Sequence, residues 1–246
     1  YLAASNNCHH KYVSFLLDKK TLSIKSVNEI ISHIAPDKKT KFDESHIIQL
    51  YNEFQKKSSG DESSYRKLKA EIGNTPVLII APGSSLIKQA DRIAKYIKEN
   101  HPYIISVNHI SELYPPHAVF ISNHKRYGQI SLRMNKRTGN AKVITTSNIN
   151  PTILGADYVL NYSSLLVENP SISDNATLML MNALIQMGIQ KTALAGFDGY
   201  RPNENNYFND HWDFMGHAWD QNQAISKAVQ NMKRNLQMQF VTDTLY

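Results

Sequence analysis

Val77-Leu78-Ile79-Ile80-Ala81-Pro82-Gly83-Ser84-Ser85-Leu86 opens with an unbroken apolar run and closes on a glycine turn. A strand with one solvated face alternates apolar and polar side chains. Five apolar residues in a row instead fit a strand covered on both faces, as the strands of a parallel sheet are. After Pro82-Gly83-Ser84-Ser85, the residues Leu86, Ile87, Ala90, Ile93, Ala94 and Ile97 fall at the spacing of one amphipathic helix.

The same grammar continues toward the C-terminus. Tyr103-Ile104-Ile105-Ser106-Val107, Ala118-Val119-Phe120-Ile121 and Val143-Ile144-Thr145-Thr146 read as strands, and so does the shorter Tyr158-Val159-Leu160. Ala176 to Met187 reads as a strongly apolar helix that Gly188 stops. Thr192-Ala193-Leu194-Ala195-Gly196 is a further strand, followed by a polar and aromatic loop over 199–217. A helix from about Trp219 to Leu236 and a last strand, Phe240-Val241-Thr242, complete the chain. Strands alternating with helices predict an α/β fold over 76–246, a Rossmann-like, mostly parallel sheet with helices on both faces.

Before residue 76 the pattern is helical only. Tyr12, Phe15 and Leu16, then Leu22, Ile24, Val27, Ile30, Ile31 and Ile34, recur at helical spacing. After Pro36, Ile47, Ile48, Leu50, Tyr51 and Phe54 share one face, with Asp43 placed to cap it. Ser58-Ser59-Gly60-Asp61-Glu62-Ser63-Ser64 breaks the pattern. The predicted organisation is thus a small all-helical segment over 1–57, a linker and short helix over 58–75, and the α/β domain over 76–246.

Bulk properties narrow the function. The chain has 246 residues, 41% of them hydrophobic, enough for one sizeable core and a small appendage. No apolar run reaches the roughly 20 residues of a membrane-spanning helix. Cys8 is the sole cysteine, which excludes disulfides within the chain and cysteine-based zinc sites, and a cytoplasmic setting is expected. The net charge is +6, but Lys38-Lys39-Thr40-Lys41 is followed at once by Asp43 and Glu44. Lysines interleaved with acids argue against a nucleic-acid stripe and for a basic surface that favours small anionic ligands. Because it starts at Tyr1, the chain reads as a piece of a longer polypeptide.

Parallel sheets bind ligands at the carboxyl ends of their strands, so the residues there carry the functional reading. The Gly83-Ser84-Ser85 turn opens a helix, and amides in such a turn can hold a phosphate; an ordinary turn with a serine cap is the alternative. Asn108-His109 follows the second strand and Ser122-Asn123-His124 the third. Each asparagine can contact a ligand or cap a turn. Gly196-Phe197-Asp198-Gly199-Tyr200 follows a buried strand, then come Tyr207, Asp210-His211-Trp212-Asp213 and Gly216-His217. A histidine here suits a general base, and tyrosine hydroxyls can stabilise a departing phosphate. The composition of Asp210, His211, Asp213 and His217 would allow a metal, but their spacing matches no named metal motif.

These residues, in this order, resemble the bacterial sialyltransferases that use cytidine-monophosphate sialic acid. More loosely they resemble motility-associated glycosyltransferases and pterin-diphosphokinase-like proteins. The resemblance covers most of 76–246. It implies that Gly83, Ser84, Ser85, Asn108, Asn123 and Asp198 bind a CMP-type nucleotide sugar as donor. Tyr200 and Tyr207 would then stabilise the leaving phosphate and His217 act as the general base, with no metal required. Asn175-Ala176-Thr177 departs from the family, which has serine and glycine before the apolar helix. The Tyr200 to Tyr207 spacing is also one residue longer. Tyr1-Leu2-Ala3-Ala4-Ser5-Asn6-Asn7-Cys8-His9 and the helices after it resemble the tail of metal-dependent aldolases related to 4-hydroxy-2-oxovalerate aldolase and homocitrate synthase. That resemblance implies an upstream barrel that would hold a divalent metal and could bring two copies together as a homo-oligomer.

Overall fold

The computed structural model describes residues 61–137, 141–149, 151, 154–169, 171–202, 204, 206–207 and 218–246. The expected helices over 1–57 and the 208–217 part of the aromatic loop, with His211 and His217, lie outside them.

The described chain is α/β. Seven strands form one sheet: β1 (Val77–Ile80), β2 (Tyr103–Val107), β3 (Ala118–Ile121), β4 (Lys142–Thr146), β5 (Tyr158–Leu160), β6 (Lys191–Ala195) and β7 (Gln237–Phe240). Their order is β5-β4-β3-β2-β1-β6-β7. Every neighbouring pair runs parallel. The central strands β1, β2 and β3 are buried along their whole length, which is why they are apolar at every position but Ser106.

Alternate side chains feed cores on both faces of the sheet. Val77 and Ile79 of β1 face helices α1 (Glu62–Ile72), α6 (Ala176–Gln186) and α7 (Ala218–Met232). Leu78 and Ile80 face α2 (Ser85–Lys88) and α3 (Ala90–Asn100). Under α4 (His124–Arg137), Val119, Ile121 and Val143 meet Tyr127 and Ile130. A short α5 (Tyr162–Leu165) follows β5.

Several boundaries differ from the sequence reading. The single helix expected from Leu86 to Ile97 is two helices, broken at Gln89, whose φ of −126° and ψ of 34° are not helical. Helix α4 was not anticipated, because its basic residues dilute the apolar spacing of Tyr127, Ile130 and Met134. The last strand lies at Gln237–Phe240 instead of 240–242, since an edge strand exposed at every other residue lacks the apolar run that marks the others. Helix α1 packs on the sheet, with Leu68 and Ile72 fully in the core. Glu71 accepts hydrogen bonds from the hydroxyls of Tyr103 and Tyr158, and Asp61 and Ser64 accept from the backbone of Asn161 and Val159 beside edge strand β5. Among the described residues no helix is long and apolar enough to cross a membrane.

Candidate functional site

Strand β1 lies between β2 and β6, the point where the strand order reverses. The helices after β1 cover one face of the sheet and the helix after β6 covers the other. Connections that leave adjacent strands on opposite faces open a crevice at the carboxyl edge. A cavity of about 280 Å³ occupies that place, bordered by Ala81–Gly83 after β1, Asn108 after β2, Asn123 after β3 and Gly196–Asp198 after β6.

Gly83, Asn108, Asn123, Asp198, Tyr200 and Tyr207, six of the residues expected at the site, line this one cavity. Ser84 and Ser85 do not border it, and His217 lies outside the described residues.

The amides of the glycine turn bond within the chain. The Gly83 N–H donates to the Gly196 carbonyl at 2.8 Å, and the Ser84 N–H donates to the Asn206 carbonyl at 3.2 Å. Ser85 gives both its N–H (2.8 Å) and its hydroxyl (2.5 Å) to the Asp198 carboxylate. All three amides of the turn are therefore engaged within the chain. A Cβ on Gly83 would lie 2.3 Å from the Gly196 oxygen and 2.6 Å from Asp198 Cγ. Glycine is required here by the close approach of two chain segments. Gly83 also bridges Tyr207 in antiparallel fashion, which ties the aromatic loop across the crevice.

Asp198 is the anion in that lock. Burial pushes its carboxyl above the ordinary aspartate range, while the Ser85 hydrogen bonds and the nearby Arg201 and Lys88 pull it back.

Both asparagines bond the backbone and also border the cavity. Asn108 has a φ of 55°, a left-handed conformation that asparagine tolerates, and its Oδ1 accepts the Ser122 N–H at 3.2 Å. Asn123 Oδ1 accepts the Arg126 N–H at 3.2 Å and so caps α4. A backbone N–H must meet the carboxamide oxygen and not its NH₂ group, so both side chains are oriented unambiguously. The other end of each carboxamide is an NH₂ group with two N–H donors.

Tyr200 is clamped through its backbone: its N–H donates to Asn222 Oδ1 at 2.9 Å, and Asn222 Nδ2 donates to its carbonyl at 2.7 Å. Its ring meets Tyr207 edge-on with centroids 6.4 Å apart, and the two hydroxyls are hydrogen-bonded. Burial first, then the neighbouring Tyr207, hold the Tyr200 phenol well above its ordinary value. It stays neutral and stays a donor at physiological pH.

Sequence reasoning missed Arg126, Asp174 and Tyr246, which also line the cavity. Arg126 lies in the unanticipated helix; its spacing of three from Asn123 was the available signal. Tyr246 packs against Phe197 with ring centroids 4.7 Å apart and planes tilted by 47°, and it donates its hydroxyl to Asn222 Oδ1 at 3.1 Å. Burial raises its phenol too. At the departure already noted, Asn175 caps α6 by accepting from the N–H groups of Thr177 and Leu178, and Asn175, Ala176 and Thr177 all border the cavity.

No family model and no curated protein matches this chain. Among the described residues no group of three or more His, Cys, Asp or Glu side chains could hold a metal ion. The Asp210, His211, Asp213 and His217 set falls outside them. The cavity offers hydroxyl and carboxamide donors, one guanidinium and two carboxylates, a set suited to a polar, partly anionic small molecule.

Proposed function

We propose that the α/β domain binds a nucleotide-activated sugar and transfers the sugar, with inversion, to a hydroxyl acceptor. One observation carries the reading: Asn108, Asn123, Tyr200 and Tyr207, from three separate parts of the chain, border a single cavity where the strand order reverses. Asn108 and Asn123 donate to the nucleotide. Tyr207, backed by the neutral Tyr200, donates to the leaving phosphate as negative charge develops on it. His217 takes the proton of the acceptor hydroxyl, a role that comes from the sequence resemblance alone. Gly83, Ser84, Ser85 and Asp198 shape the site, because the amides and carboxylate of that turn bind one another.

The same internal engagement favours a second reading, a non-catalytic module that binds a nucleotide or sugar beside an aldolase-type domain. Thermal unfolding with cytidine, uridine, guanosine and adenosine mono- and diphosphates tests the shared premise. A ligand at about a hundred times its dissociation constant stabilises the fold by roughly 2.7 kcal/mol. Hydrolysis of a stabilising nucleotide's sugar donor, lost in His217→Ala with binding retained, supports transfer. Binding without any hydrolysis supports the module, and no stabilisation by any nucleotide removes both.

A further inference from the structure

The amides of Gly83, Ser84 and Ser85 already bind the Gly196 carbonyl, the Asn206 carbonyl and the Asp198 carboxylate. A phosphate in this cavity must find its donors elsewhere. The β2–β3 side supplies them. The carboxamide oxygens of Asn108 and Asn123 each accept a backbone N–H, and that bond fixes which end of each carboxamide is the NH₂ donor. One helical turn on, Arg126 borders the same cavity and is the only cation among the described residues that do. Its backbone N–H is fixed by Asn123 and its Nη1 by Gln129 Oε1 at 2.8 Å.

The guanidinium is half-buried, and burial makes its charged form less favourable than in water, an effect the Tyr207 phenol opposes. A partly desolvated cation gains more from a nearby anion than one in open water does. Asp174 borders the same cavity. Arg126 and the two carboxamide NH₂ groups supply donors, and Asp174 can accept from ligand hydroxyls. A group with acceptors alone and a negative charge matches those donors, and a phosphate ester has that chemistry.

We propose that Arg126, with the carboxamide NH₂ groups of Asn108 and Asn123, is the phosphate-binding wall of this cavity. The proposal rests on the nucleotide reading only for the rest of the ligand, not for the phosphate.

The test is calorimetric titration of the wild type, Arg126→Gln and Arg126→Lys. The ligands are cytidine, uridine, guanosine and adenosine, their monophosphates, and inorganic pyrophosphate. The wild type is expected to bind one monophosphate at least about tenfold more tightly than its nucleoside, as a charge-assisted contact provides. Arg126→Gln should erase that ratio and weaken pyrophosphate in parallel, with nucleoside affinity unchanged. Arg126→Lys, which keeps the charge but loses the planar fork, should fall between. If Arg126→Gln binds the monophosphate and pyrophosphate like the wild type, the proposal fails and the nucleotide reading stands. Arg126-dependent binding of pyrophosphate, with no nucleoside or monophosphate bound, upholds the proposal and removes the nucleotide reading. Absence of binding by every phosphate compound overturns both. Should Arg126→Gln lose its far-ultraviolet circular dichroism, Arg126→Lys carries the test, and unchanged affinity there overturns the proposal.

Discussion

Gly83→Ala separates a structural glycine from a ligand-binding one. The new Cβ would sit 2.3 Å from the Gly196 carbonyl oxygen, more than 1 Å inside ordinary contact, and 2.6 Å from Asp198 Cγ. Neither neighbour is the yielding tip of a long side chain. The Gly196 carbonyl accepts the Gly83 N–H, and Asp198 is held by Ser85. Overpacking of a close-packed interior costs about 1–3 kcal/mol, and the hydrogen bond broken by the necessary shift about 1 kcal/mol. We expect a loss of about 3 kcal/mol. At about 2–4 °C per kcal/mol for a domain of this size, that lowers Tm by about 6–12 °C. Urea unfolding and a thermal scan followed by circular dichroism measure it. Gly128→Ala is the matched control: nothing lies within 4 Å of its added Cβ, and Gly128 is inside α4. It should gain about 0.5–1 kcal/mol. If Gly83→Ala melts with the wild type, the close approach of the two segments is not rigid and the reasoning fails. If it also loses nucleotide binding, Gly83 serves the ligand after all.

Tyr207→Phe should keep the fold and lower the rate of donor cleavage by about a hundredfold, the usual effect of removing one donor from a developing anion; a rate within twofold of the wild type removes Tyr207 from the chemistry. Asp198 is expected to make stability fall as pH rises. Its carboxyl is raised above the ordinary 3.8 in the folded chain, so the folded state holds the proton more tightly than the unfolded one. Stability is therefore greatest below 3.8 and declines as pH climbs through the raised folded value. Urea titrations of the wild type and Asp198→Asn between about pH 4 and 7 should show the wild type gaining on the variant as pH falls. A constant difference across that range would mean that burial does not govern Asp198.

Local sequence was enough for the central strands of the sheet. Val77–Ile80, Tyr103–Val107 and Ala118–Ile121 are buried on both faces, and a doubly buried strand needs an apolar residue at nearly every position, which can be read without knowing its neighbours. Gly188 was legible as a helix stop for the same reason, since its φ of 72° is a local demand that glycine meets at little cost. Strand-end residues such as Asn108, Asn123 and Tyr200 could be picked out because a parallel sheet fixes which edge receives ligands.

Donor and acceptor accounts could not be read that way. Whether the Ser85 amide greets a phosphate or a carboxylate depends on Asp198, which is 113 residues distant in the chain. Which end of the Asn108 carboxamide faces the backbone depends on the Ser122 amide across the next strand. Helix α4 escaped notice because its fit to the sheet rests on Tyr127 and Ile130 among basic residues, and Arg126 escaped with it. Apolar burial leaves its trace in composition and spacing at each position, whereas a hydrogen bond consumes a group only when folding brings its distant partner into reach.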